Sequence, residues 1–533
     1  MGLLNWRSNT AKRVLCSLML LLFLSCLFTG RPHDSGRPLP RSTSSEKRAS
    51  TSWEEYFYRL EAARPWADPV RPEATPSPSD KRRPYTTVAD PDLPRLSRET
   101  KKSLRHGHSI FVSGLASLAT RLVFEPKTTG IVTSVRPDDL GQLVSMLLML
   151  RQSGSTLPVQ VVLEDEILPS SAEQLCSTGL RSLGATCILP QQQDGWLDAA
   201  RHLPPFQPSQ WKSLAIIAST FQNVLFLDAS TLPVQKPDYI FAKNAEPFAS
   251  TGLITWTDIW TPTASPDFYA VAGDIDTPLL ATRASSESGV LVIDKARHAD
   301  TLLLAAYYNH YGPDYYYPLL APHDVEDPGR ETFLTSALVL ESLDRKGTYT
   351  APEKTKSEKK GRWSIRCSPR IYQRSNKGGV PGVVVMAQVD PLEDYHAVLL
   401  ALQEEEWSQG SGQEQTQLQG DYRDLVTDPA FLDGLGNLTV SPRKGKYMFF
   451  HHYGEKLDFS RVTDDLLPTD TSGLRMRMWG DPDWVEANTG RDVEKMLWED
   501  ATEFWCGQQG YGKQCRLMKS IYRSLYVPDR FHR

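Results

Sequence analysis

Between residues 129 and 228 the sequence alternates apolar, β-branched runs with helical spacing, and this alternation leaves few architectures open. TGIVTSV (129–135), PVQVVL (158–163), ATCIL (185–189) and NVLFLD (223–228) read as buried strands. PDDLGQLVSMLLMLRQSG (137–154) opens on Pro and two Asp and stops at Gly, as helices begin and end. SSAEQLCSTGLRSLG (170–184) and SQWKSLAIIAST (209–220) have the same helical spacing. Such a β-α-β-α-β-α-β series predicts an α/β fold, a mostly parallel sheet with helices on both faces. Ligands of such sheets bind beyond the carboxyl ends of the strands. Asp228 ends the most apolar strand, so it is predicted to stand in a site. Downstream, LITWTD (253–258) and VLVID (290–294) predict strands, and residues 299–311 and 330–343 predict helices. Lys354–Lys377 and Gln403–Gly420 read as exposed insertions.

The N-terminal segment obeys different rules. Arg7, Lys12 and Arg13 precede fifteen uncharged residues, Val14–Phe28. Basic residues before an apolar stretch keep the N-terminus in the cytosol and send the rest across the membrane. Fifteen residues suit a thin internal membrane better than a thick one. The expectation is a cytosolic tail (1–13), a signal anchor (14–28) and a lumenal body, with a cleaved signal as the alternative. Residues 29–105 hold eleven of the 38 prolines and read as a stem, with one short helix expected at Trp53–Ala63. The body is then 106–533. Residues 1–105 carry a balance of +8, so the rest of this −5 chain carries −13. An acidic body excludes a nucleic-acid-binding domain, which needs a basic face. Cys176 with Cys187 and Cys506 with Cys515 are close enough in sequence for local disulfides, though each could equally be a buried thiol. Asn437-Leu438-Thr439 is the one N-glycosylation sequon.

Four segments can carry chemistry. In FLDASTLPV (226–234) a carboxylate ends a buried strand, where it can hold Mn²⁺ or Mg²⁺ or merely cap a turn. In ESGVLVIDK (287–295), Gly289 opens the backbone to close approach. FFHHYGEKLD (449–458) places two His on opposite faces of a strand, so at most one readily joins a given metal. Trp256, Trp260, Tyr269 and YYNHYGPDYYYP (307–318) are aromatic enough to pack a core or to cover sugar C–H faces. There is no GxSxG, HExxH, Walker loop or GxGxxG after a strand, which sets aside serine hydrolases, zincins, P-loop enzymes and dinucleotide enzymes.

In order, WKSLAIIASTFQNVLFLDA (211–229), PVQKPDYIF (233–241), TGLITWTDIW (251–260), ESGVLVIDK, YYNHYGPDYYYPLL (307–320), RETF (330–333), QVDPLEDY (388–395) and HHYGEKLD (451–458) resemble the fungal Golgi α-mannosyltransferases of the MNN type, glycosyltransferase family 71. The resemblance implies a type II Golgi membrane protein with a GT-A-like fold. It implies GDP-mannose as donor, Mn²⁺ (or Mg²⁺) as metal and transfer, with retention, to mannose of N-glycan outer chains or cell-wall mannan, in α-1,2 linkage. It assigns Asp228, Ser230 and one of His451 or His452 to the metal, and Lys212 and Lys295 to the departing GDP. Glu287, Ser288, Asp327 and Glu331 would orient donor or acceptor. It also allows oligomers with other mannosyltransferases. Two positions depart from the family pattern. Asp-x-Asp is here Asp228-Ala229-Ser230, and the Asp of Gly-Asp-Lys-Glu-Thr-Phe is here Gly329. Those departures sustain an alternative, a weakened homologue serving as a scaffold subunit. A lumenal metal-dependent hydrolase is a third reading, resting only on the His pair and acidic residues.

Overall fold

The structure is a computed structural model that describes residues 45–71, 93–164, 170–193, 196, 200, 203, 205–260, 262–276, 284–322, 327–352, 360–375, 381–408, 447–463, 466–470 and 473–527. The anchor 14–28 and the sequon at Asn437 lie outside the described residues. Among the described residues no helix is long and apolar enough to cross a membrane.

Seven strands make the central sheet: β1 (Glu125–Val135), β2 (Val159–Leu163), β3 (Ala185–Ile188), β4 (Phe221–Leu227), β6 (Leu253–Thr257), β7 (Ser286–Asp294) and β8 (Trp363–Ser364), in spatial order β3-β2-β1-β4-β7-β6-β8. All neighbours pair in parallel except β4 with β7 and β7 with β6. The expected α/β class and mostly parallel sheet are therefore present. A second, antiparallel sheet has the order β5 (Thr231–Pro233), β11 (Tyr447–His452), β10 (Pro381–Val389), β9 (Arg370–Ser375).

Alternation along each strand feeds two cores. On β4, Val224 and Phe226 face one side while Leu225 and Leu227 face the other. On β7, Leu291 and Ile293 oppose Val290 and Val292 in the same way. Helices α1 (Ser45–Ala62), α2 (Arg98–Ala119), α4 (Pro208–Ala218), α5 (Lys295–His310) and α6 (Thr332–Arg345) share the first core. The second core takes α3 (Leu140–Gln152), the small sheet, α7 (Pro391–Ser408), α8 (Val493–Cys506) and α9 (Gly512–Tyr526). Both faces are covered, so strand residues are apolar on both sides, each fully buried Leu, Ile or Phe contributing about 1.5–3 kcal/mol.

Three expectations change. The packed body starts well before residue 106: Trp53, Tyr56, Phe57 and Leu60 of α1 are buried, with Trp53 4.6 Å from the Trp196 ring. Tyr311 Oη donates to Leu60 O at 2.7 Å and Tyr315 Oη to Ala67 O at 2.6 Å. Aromatics dense enough to bury a face offset the ordering entropy that composition alone makes prohibitive. Secondly, the basic stretch 354–377 is not simply exposed, because its described part supplies β8 and β9 and buries Ile365 and Cys367. Thirdly, residues 403–408 belong to α7, while 409–420 lie outside the described residues. The two cysteine pairs are disulfides, and Cys367 is a buried thiol.

Candidate active site

The antiparallel β7 builds the site. Because Leu227 pairs with Val290 and the Asp228 N–H donates to Gly289 O at 2.9 Å, the start of β7 lies beside the end of β4. Strand β6 runs beside β7 and ends one residue before Asp258, while β5, after the Asp228 turn, pairs Thr231 with His451 of β11. Four elements thus deliver Asp228, Glu287, Ser288, Asp258 and His451 to one cleft of about 520 Å³, with Trp260, Arg330, Tyr453 and Lys456 on its walls.

Lys212 stands at its centre. It rises from α4, whose first turn carries an unusual cap: the Gln207 N–H donates to Gln210 Oε1 at 2.6 Å. The Lys212 ammonium donates to Asp228 Oδ2 at 2.8 Å, Ser288 Oγ at 2.8 Å and Asp327 Oδ2 at 2.9 Å. Ser288 Oγ also donates to Asp327. Burial alone would discharge the lysine, but the carboxylates of Asp228 and Asp327 outweigh it and raise its pKa. A second ion pair lies alongside, with His451 Nδ1 3.0 Å from Glu287 Oε1. Burial works against both charges, yet His451 and Lys212 hold Glu287 down at about 2, while Glu287 raises His451. Asp258 is pushed up to about 7 by burial and by Glu287, against the pull of Arg330 3.1 Å away. Six carboxylates and four Lys or Arg side chains line the cleft.

Gly289 packs directly against side chains of the site. A Cβ there would lie 2.8 Å from Thr231 Oγ1 and 2.9 Å from His451 Nδ1. The opening expected for a ligand is filled by the protein's own His451. Gly329 is similar: a Cβ would sit 2.8 Å from Asn309 Oδ1, and Asp327 supplies the carboxylate on Lys212 instead.

The residues expected from sequence divide as follows. Asp228, Ser230, Glu287, Ser288, Asp327, Lys212 and His451 line the cleft. His452 reaches its rim, but Nε2 donates to Glu455 O at 2.9 Å and Nδ1 accepts from Trp479 Nε1 at 3.3 Å. Its pKa falls to about 4 through burial. Glu331 lies behind the cleft and accepts the Ser286 N–H at 2.8 Å, so it props the start of β7. Lys295 is at the other end of the sheet, after Asp294, which pairs with Asn223 at the start of β4. Its ammonium donates to Ile216 O at 3.0 Å and Ser219 O at 2.6 Å. The assignment of Lys295 to a nucleotide is corrected: chain proximity to ESGVLVID misled, because a strand of nine residues holds its two ends roughly 27 Å apart along the sheet. Tyr307, Tyr308 and Tyr316 are fully buried and pack the core, so of the aromatics singled out, Trp260 alone lines the cleft. Asp258 and Arg330 were missed as site residues. The signal for Asp258 was present, a carboxylate ending the strand LITWTD as Asp228 ends NVLFLD.

Residues 128–282 and 276–360, which carry Lys212, Asp228, Glu287 and Asp327, match the family described as "Mannosyltransferase putative". Alpha-1,2-mannosyltransferase MNN24 of Candida albicans is 33% identical over 226 residues, covering 36% of this chain and 30% of its own length. Alpha-1,2-mannosyltransferase MNN2 of Saccharomyces cerevisiae is 31% identical over 287 residues, covering 45% of each. Residues 128–360 are thus similar to mannosyltransferases of the MNN type. The chain spans less than half the length of either relative. Among solved structures, the galactosyltransferase LgtC with donor and acceptor analogues overlaps 39% of this chain and 69% of its own, at 14% identity and a TM-score of 0.26.

The MNN-type resemblance implies a divalent metal, and the four expected ligands do not form a set for one. Asp228 Oδ2 is taken by Lys212, His451 Nδ1 by Glu287, and both His452 ring nitrogens by Glu455 and Trp479. Ser230 offers a hydroxyl without charge. Among the described residues no three His, Cys, Asp or Glu converge as metal ligands do. A divalent ion about 4 Å from the Lys212 ammonium would be repelled by roughly 8 kcal/mol at an effective dielectric constant of about 20. These residues do not fit the metal.

Proposed function

We propose that this chain is an α-mannosyltransferase that moves mannose from GDP-mannose to a mannose hydroxyl of a glycan, in α-1,2 linkage and with retention. What supports the reading is one observation above the others. The stretch matched to mannosyltransferases, 128–360, supplies Lys212, Asp228, Ser288 and Asp327 to one cleft at the carboxyl end of β4. That end is where α/β sheets bind nucleotides. In the reaction the C1–O bond to the β-phosphate breaks and its electron pair stays with the phosphate oxygen. C1 bonds to the acceptor oxygen, whose proton passes to the departing phosphate. The chain's own work is positioning and electrostatics. Lys212 and Arg330 bring positive charge to the cleft, Glu287 and Asp258 offer acceptors to sugar hydroxyls, and Trp260 covers a C–H face. Tethering by Val14–Phe28 in a Golgi membrane, with the body lumenal, belongs to the same reading and rests on the basic flank of that segment. Association with other mannosyltransferases goes with it as a proposal, resting on the family resemblance alone.

The test is to incubate the purified full chain with GDP-mannose and α-1,2-mannobiose and to analyse products by mass and by linkage-specific mannosidase digestion. The reading requires a mannotriose whose new bond is α-1,2. Absence of any trisaccharide, or hydrolysis of GDP-mannose without transfer, contradicts it.

A further inference from the structure

We propose that Lys212 is the cation that meets the leaving diphosphate, so that nucleotide binding by this chain needs no divalent metal. The inference rests on the transferase reading and names the charge that reading requires.

The geometry resembles a cation site in every respect but the identity of the cation. Three oxygens from three separate elements, Asp228 at the end of β4, Ser288 on β7 and Asp327 before α6, surround one point charge at 2.8, 2.8 and 2.9 Å. The charge is an ammonium held covalently by α4. Its side chain is 11% exposed, so it is desolvated on most sides and open only toward the cleft. The second residue of the Asp-x-Asp pattern is Ser230, and a site whose cation carries one charge rather than two needs correspondingly fewer carboxylates. The cleft retains two for Lys212, and Asp327 replaces what Gly329 does not provide.

An ammonium has three protons to donate. Of its three acceptors here, the Ser288 hydroxyl is the neutral one and therefore the weakest held. An arriving phosphate oxygen accepts that hydrogen bond in place of Ser288, while Asp228 and Asp327 keep the lysine aimed. Ser288 retains its bond to Asp327. Arg330 and Lys456, on the same walls, supply the remaining positive charge.

The experiment is calorimetric titration of the purified full chain with GDP, in EDTA and again in millimolar Mn²⁺. The expected result is the same affinity in both, within about twofold. Lys212→Met should weaken GDP by roughly ten- to a hundred-fold under either condition, the range of one lost charge-assisted contact, and Lys212→Arg should recover part of it. Thermal melts of each variant report folding separately. In Ser230→Asp with Lys212→Met, Mn²⁺ should strengthen GDP binding, because a metal then replaces the ammonium. GDP binding by the wild type only when Mn²⁺ is present would overturn the proposal and leave the transferase reading intact. Binding of no nucleoside diphosphate under either condition would overturn both.

Discussion

Two buried lysines, one near the start of α4 and one against its end, show how this fold separates chemistry from architecture. Lys212 leaves the first turns of α4 and meets two carboxylates. Lys295 meets the last turn and finds only neutral oxygens, Ile216 O, Ser219 O and Ser219 Oγ. Both side chains are removed from water, yet their titrations diverge. The carboxylates raise Lys212, whereas burial without a counter-charge pulls Lys295 down to about 7. Lys295 closes the helix by satisfying carbonyls that have no partner within it. Lys212 holds a permanent charge at a cleft wall. Burial alone therefore says little about a lysine's task, and the charge of its acceptors says most.

The largest effect expected from this contrast is on catalysis. Lys212→Met should lower mannose transfer by roughly a hundred- to a thousand-fold, the usual cost of losing one preorganised group facing developing negative charge. Steady-state rates with GDP-mannose check it, and a loss of under about threefold would erase the distinction between the lysines. Lys295→Met should instead leave transfer by the folded protein unchanged. It should cost about 1–3 kcal/mol of stability at pH 9, since buried carbonyls lose their donor, as read from urea denaturation. The pH dependence sharpens the point. Lys295 has its folded pKa near 7, below its ordinary 10.5, so the unfolded chain binds more protons between those values. Its contribution to wild-type stability should rise with pH across that window, and the difference between wild type and Lys295→Met should grow with it. A difference independent of pH from 7 to 10 would mean that Lys295 is charged in the folded state. The smallest effect is expected for Ser219→Ala, which removes one of three acceptors and leaves the two carbonyls, at a cost of under about 1 kcal/mol.

What the sequence made legible follows periodicity. The strands of the central sheet other than β8, and the position of Asp228, could be read because alternation and helical spacing are local properties. Asp228, Glu287 and His451 share a cleft, as strand ends in such a sheet should. Which end of a strand a residue occupies in space is not local. Lys295 was drawn into the site through its link to ESGVLVID, and the antiparallel pairing of β7 with β4 places it beside the start of β4, at the end of the sheet away from the cleft. Glu331 was similarly near in sequence and one layer behind in space. The role of α1 was hidden because prolines around it dominate the composition, while Trp53, Tyr56 and Phe57 gain their value only from Trp196 and Tyr311, far along the chain. The two histidines were distinguishable in principle as opposite faces of one strand. Which of them faces the cleft depended on the pairing of β11 with β5.

The central claim is that the charge of Lys212, held at the end of β4, drives transfer. It is tested most directly by measuring labelled mannose transfer from GDP-mannose to α-1,2-mannobiose for wild type, Lys212→Met and Lys295→Met side by side in EDTA, each shown to be folded by its melting curve. The account predicts transfer by the wild type and by Lys295→Met, and a loss of at least about a hundred-fold for Lys212→Met. Equal transfer by wild type and Lys212→Met, or equal loss in both lysine variants, would contradict it.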